Sequence, residues 1–262
     1  MTTRLPPDLV YDLSPPLLFL LVLACVSTVA LLIQWAIRIP AIARAAPQLM
    51  HVTPAVSTIA GAIFGLSMSF LANSVWNTED GAHNAVNSEA RAIRVMALYI
   101  DSLTAPAYEG MSKLVADYGK AVAAEWTSMN EDDYGTPAEI ALRTIYGAVI
   151  GGLAEGDQNR LLQQRLLISL DELSAARQER LSIAENFVSI SQWTLVVGLG
   201  IVLLFVVTLN HIATPLARRV AVAAVAMSMS IMLYVILLHD RPFIGYDAIS
   251  PDPILKATGA AP

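Results

Sequence analysis

The chain has 262 residues, 55% of them apolar and only 15% charged, with a formal net charge of −6. That composition excludes a disordered chain and offers no basic surface for nucleic acid. Its single cysteine, Cys25, excludes an internal disulfide, a cysteine-built metal site and an iron–sulfur cluster.

The apolar residues are clustered. Runs at 17–37, 53–75, 191–209 and 220–238 are each long enough to cross a hydrocarbon layer about 30 Å thick. The fold class expected is therefore all-α: a four-span integral membrane protein with spans one and two in 17–75, spans three and four in 191–238, and tails at 1–16 and 239–262. Residues 1–16 end in Ser14-Pro15-Pro16, a cap followed by proline in the first helical turn. Span one lacks the basic leader of a signal peptide, since Arg4 stands against Asp8 and Asp12, and no convincing small-x-small cleavage site precedes Arg38. It is expected to be retained, with Trp35 and Arg38 at headgroup level. The loop that follows carries Arg38 and Arg44 without an acid, and its Ile-Pro and Ala-Pro steps predict a compact turn.

Span two carries two stripes. Gly61 and Gly65, with Ser57 and Ser69, form a small-residue face suited to close helix packing. Ile59, Ile63, Leu66 and Phe70 form a bulkier stripe, either lipid-facing or a hydrophobic constriction if the helix lines a pore. No proline stops the helix at the membrane surface, so one helix is expected from Thr53 to Arg94. Along it Asn73, Asn77, Asp80, Asn84, Asn87, Arg91 and Arg94 recur at spacings of three or four, on one face. Such a row reads as a pore lining or as a buried seam between helices.

Residues 76–190 change to mixed polar composition and predict a helical extramembrane domain. A first helix runs to about Leu103 and a second contains Leu114, Val115, Tyr118, Val122 and Trp126 at helical spacing. After the turn at 130–135, Thr136-Pro137 with Glu139 opens a third, and Gly156-Asp157 breaks it before a longer fourth. Span three opens at Ser191-Gln192-Trp193 and ends at Asn210-His211. Thr214-Pro215 and Arg218-Arg219 precede span four, whose alanines and serines suit packing against protein. The proline- and glycine-punctuated tail from His239 is expected to lie against the helical domain.

The short loops hold four arginines and no carboxylate, whereas residues 76–186 hold 9 basic and 17 acidic residues. By the basic-residue rule the short loops are cytoplasmic and the domain is outside. No enzyme is expected: His51, His83, His211 and His239 are scattered and form no metal-binding pair, and no nucleotide loop or zinc constellation is present. No cofactor or metal is expected. Glu79 with Asp80, and Glu131-Asp132-Asp133, are solvated acidic turns or attract cations at a pore mouth.

The order span, span, helical domain, span, span resembles the bestrophin family of ion channels, and more closely the bacterial bestrophin-like membrane proteins. The resemblance rests on Gly65 to Asn77, GLSMSFLANSVWN, with Phe70, Asn73, Ser74 and Trp76; on Arg177, Arg180, Leu181 and Trp193; and on Asp240, Pro242, Phe243 and Gly245. It implies a multi-pass inner-membrane homo-oligomer, a pentamer, with the second span around a central axis. Ile59, Ile63, Leu66 and Phe70 then form the neck, with Asn73, Asn77 and Asp80 at the pore mouth. The sequence departs from the family where Leu71-Ala72 replaces an arginine after the phenylalanine, and where Ile244-Gly245-Tyr246-Asp247 lacks the acidic run of the animal calcium clasp. Calcium gating is therefore not carried over. The family places the helical domain in the cytoplasm, opposite to the charge count. The function expected is passive conduction of monovalent ions, cations slightly favoured, with the lipid bilayer and inorganic ions as partners. The rival is a non-conducting sensor or scaffold that binds a partner through the helical domain. A secondary transporter is disfavoured, since the spans are unbroken.

Overall fold

The computed structural model describes residues 8–11, 13–40, 53–102, 110–128, 136–152, 160–185 and 187–259. The turns expected around Arg44, at 130–135 and at Gly156-Asp157 lie outside these. Among the described residues every regular element is a helix: α1 Asp8–Tyr11, α2 Pro15–Ala36, α3 Thr53–Asp101, α4 Met111–Ser128, α5 Thr136–Gly152, α6 Arg160–Glu185, α7 Ile190–Asn210, α8 Pro215–His239 and α9 Asp252–Thr258. Four of them, α2, α3, α7 and α8, are long and apolar enough to cross a membrane.

The chain divides into two compact units. One comprises residues 1–77, 187–241 and 245–247; the other comprises 78–186, 242–244 and 248–262. In the first, α2, α7, α8 and the N-terminal part of α3 bury Val22, Val26, Phe64, Met68, Leu71, Val196, Leu204, Val222, Met229 and Ile236. Local rules set the ends of these helices. Proline opens α2 and α8, where its missing N–H has no intrahelical partner to lose. Ser189 caps α7 by accepting from the Gln192 N–H while the Gln192 side chain accepts from the Ser189 N–H, which satisfies two otherwise orphaned donors. Gly200 lets α7 approach α8 closely, for a Cβ there would run into the Met229 methyl.

The second unit packs α4, α5, α6, the remainder of α3 and the C-terminal segment around Ile93, Met96, Tyr118, Val122, Ile145, Leu166, Leu170 and Leu173. Phe243, Ile249 and Ile254 bring the C-terminal segment into this core. Phe243 stands edge-on to Trp126, ring centroids 5.8 Å apart, and the Trp126 indole N–H donates to the Ile249 carbonyl at 2.7 Å.

Candidate functional site

Helix α3 has 49 residues and so a length of about 70 Å, more than twice the hydrocarbon thickness. Two opposite faces run along it. One is buried: Phe64, Met68, Leu71 and Val75, then Ala82, Val86, Glu89, Ile93, Met96 and Ile100. The other is exposed, with Ile59 60%, Ile63 48%, Leu66 58% and Phe70 68% accessible, followed by Asn73, Asn77, Asp80, Asn84, Asn87, Arg91 and Arg94, all exposed. The spacings on the exposed face alternate strictly between four and three from Ile59 to Arg94. That is a heptad repeat, the period that keeps one seam turned toward neighbouring helices. Glu79, beside Asp80, is half-buried.

The small-residue face divides. A Cβ on Gly61 would meet the Leu203 side chain at 3.8 Å, ordinary contact, while one on Gly65 would meet nothing within 4 Å. Of these membrane-span glycines, the tight helix–helix contact is therefore at Gly200 rather than at Gly61 or Gly65. Ser57 and Ser69 spend their hydroxyls on the carbonyls of Pro54 and Gly65, as serine does in membrane helices.

The rotation of α3 in the second unit is set by a chain of alternating charge that is buried at Glu89, Arg180, Glu125 and Arg177 and reaches the surface at Glu139 and Arg143. Tyr118 donates to Glu89 at 2.5 Å; Arg180 donates from Nε to Glu89 at 2.7 Å and from Nη2 to Glu125 at 3.1 Å. Arg177 continues to Glu125 at 2.6 Å and Glu139 at 3.1 Å, and Arg143 closes the row on Glu139 at 3.0 Å. Arg180 and Glu89 are fully buried, and the Arg180 guanidinium lies 4.6 Å from the Trp126 ring centroid, a favourable stacking. Burial works to lower the Arg180 pKa, yet Glu89, Tyr118 and Glu125 outweigh it and the net direction is upward. Burial first, and then the Glu89 charge and hydrogen bond, push the Tyr118 phenol well above its ordinary range. Because Glu89 projects from the buried face, pairing it with Arg180 holds Asn84, Asn87, Arg91 and Arg94 outward.

In the first unit, Asp240 follows α8 and is buried. It accepts from the Val188 N–H and from the Tyr11 hydroxyl, both at 2.9 Å. Burial pushes its carboxyl upward, against these two hydrogen bonds and the Arg241 charge. Arg241 lies over the rings of Tyr11 and Phe187, at 5.1 and 4.8 Å. Gly245 has φ 97, and a Cβ there would lie 2.9 Å from the Tyr11 carbonyl oxygen, so both conformation and space require glycine. Among the described residues, no group of three or more His, Cys, Asp or Glu side chains is placed to hold a metal ion.

The family model of the Bestrophin-like domain matches residues 24–254. This chain belongs to the Bestrophin-like family. Among solved structures, the Bestrophin-like fold of this chain is similar to a bacterial bestrophin homologue from Klebsiella pneumoniae, at 12% identity and TM-score 0.68, covering 93% of this chain and 99% of that one. It is also similar to an isoleucine-to-threonine variant of that homologue, at 10% identity and TM-score 0.69, covering 92% and 98%. No curated protein matches the sequence. The residues on which the resemblance was drawn have distinct places in this Bestrophin-like chain. Arg177 and Arg180 are buried ion-pair partners, Asp240 holds Tyr11, Phe243 stands edge-on to Trp126, and Gly245 has a positive φ. Sequence reasoning missed Glu89 and Glu125, the partners of those arginines. The available signal was their place on the apolar faces of α3 and α4, where an unpaired carboxylate would be costly.

Proposed function

We propose that this Bestrophin-like chain forms a homo-oligomeric, pentameric ion channel of the inner membrane, with the exposed face of α3 around the pore. Membership of the family supports an ion-channel kind of function. The observation that carries the reading is the heptad row on α3, in which four large apolar side chains give way to amides and then charges without leaving one exposed face. Amide side chains in contact with acyl chains are unfavourable, so a membrane helix turns such a row toward protein or water. A pore satisfies both parts: Ile59, Ile63, Leu66 and Phe70 form a dewetting constriction, and Asn73, Asn77 and Asp80 hydrate the ion beyond it. Conduction is passive and monovalent, with cations favoured slightly by Asp80 and the excess of carboxylates in residues 76–186. Gly61 and Gly65 are proposed as packing positions, Gly65 between protomers because its face is open.

Single-channel recording in reconstituted bilayers tests the neck. Alanine at Ile63, Leu66 and Phe70 together is expected to raise conductance severalfold; unchanged currents would remove these residues from the pore. Particle imaging of the purified oligomer is expected to show five subunits and an axial hole lined by α3. A lipid-filled centre without conductance would favour the scaffold.

A further inference from the structure

Between Ser14 and Thr78, and between Asn186 and His239, the sequence contains no carboxylate and no lysine. Its fixed charges there are Arg38, Arg44, Arg218 and Arg219. Of these, Arg44 lies outside the described residues, and the other three share one end of the first unit. Arg38 follows α2, Arg218 and Arg219 lie at the start of α8, and Ile37 packs with Leu209 at the end of α7 and Ile212 of the α7–α8 turn. Arg218 is half-buried and donates to the Ile212 carbonyl at 3.4 Å, which holds its guanidinium over that turn; Arg38 and Arg219 are exposed. Among the described residues none of the three has a carboxylate partner. The acid that ends α8, Asp240, is about 30 Å away along the helix, several screening lengths at physiological salt. Among the described residues, three arginines thus share this end of the unit without a carboxylate partner. Large apolar side chains stand exposed beside them: Trp35 at 64%, Leu216 at 75% and Val220 at 63%.

We infer that this arginine end binds the phosphate of an anionic phospholipid. A guanidinium pairs with phosphate through a planar fork, and basic groups between membrane helices select anionic headgroups. Free phosphate would match the arginines alone. A phospholipid matches both features, its phosphate on Arg38, Arg218 and Arg219 and its acyl chains along Trp35, Leu216 and Val220. The consequence is a lipid held at the α2–α8 corner, independent of whether the protein conducts.

The test uses the full-length protein in an uncharged detergent, titrated with phosphatidylglycerol or phosphatidylcholine, with retained lipid counted by native mass spectrometry and thermal unfolding followed in parallel. Phosphatidylglycerol is expected to be retained and to raise Tm more than phosphatidylcholine. Arg38→Gln and Arg219→Gln should each lower the preference by roughly fivefold. Should Arg38→Gln fail to fold, Arg219→Gln, also at an exposed position, makes the same comparison. Equal retention of the two lipids, or an unchanged preference in the variants, overturns the inference. So does stabilisation by inorganic phosphate or glycerophosphoglycerol equal to that by the intact lipid, which would assign the corner to a soluble anion.

Discussion

Glu89 and Arg180 show how one buried pair can serve a surface they do not touch. Both are fully buried, and removing one partner leaves the other's charge without compensation. Glu89→Ala is therefore expected to cost about 3–5 kcal/mol, read as a large fall in the unfolding midpoint of the purified protein. Tyr118→Phe removes one hydrogen bond to the same carboxylate and should cost about 1–3 kcal/mol. It also changes the response to alkali. The folded-state pKa of Tyr118 is raised above the ordinary value of 10.0, by burial and then by Glu89. The stabilising contribution of the protonated phenol is thus fully present below pH 10.0 and is lost as pH rises toward the folded-state value. Unfolding followed across that window should show a shallower loss in Tyr118→Phe than in the parent; identical slopes would show that this phenol does not control alkaline stability.

At the scale of elements, α9 is short and would be marginal alone. It is held because Ile254 is fully buried and because Gly119 of α4 leaves room for Thr258, whose side chain a Cβ at 119 would overlap. Gly119→Val should therefore release α9 while leaving α4 helical. Hydrogen exchange over residues 252–258 is expected to rise by at least tenfold with exchange in α4 little changed; protection of α9 equal to the parent's would show that it docks without that notch. The Tyr11–Asp240 hydrogen bond and Gly245 do comparable work in the first unit, joining α1 to the chain that follows α8.

At the scale of the whole molecule, charge is sorted along the sequence. The arginines of the short loops have no acidic neighbours, whereas residues 76–186 hold 17 carboxylates against 9 basic residues. Several of those basic residues are already spent: Arg177 and Arg180 are neutralised inside the second unit, which leaves Arg91 and Arg94 as exposed cations on α3. Asp80 is the acid nearest the apolar row on that face, so it is the residue through which a cation preference would act. Asp80→Asn is expected to lower the cation-to-anion permeability ratio by on the order of a few-fold, measured as a reversal-potential shift under a salt gradient. A reversal potential that does not move would detach Asp80 from the conduction path.

Hydropathy and period alone determined the all-helical, four-span architecture and the continuous helix through Thr53 to Arg94, because long apolar runs and a 3.5-residue repeat are local properties of the chain. The family likeness was likewise legible, carried by short segments such as Phe70 to Trp76 and Asp240 to Gly245. Tertiary structure decided what local patterns leave open. Arg177 and Arg180, surface charges by composition, are interior, since Glu89, Glu125 and Glu139 reach them from three other helices, across 38 to 91 residues of sequence. Gly200 makes the close helix contact although Gly61 and Gly65 carry the familiar spacing, because which glycine faces a neighbour depends on how helices rotate against one another. The row from Ile59 to Arg94 has the same origin. Its spacing is written in the sequence, but its exposure follows from burying Phe64, Met68, Glu89 and Ile93 on the opposite side, where packing and ion pairing outweigh leaving those residues in water.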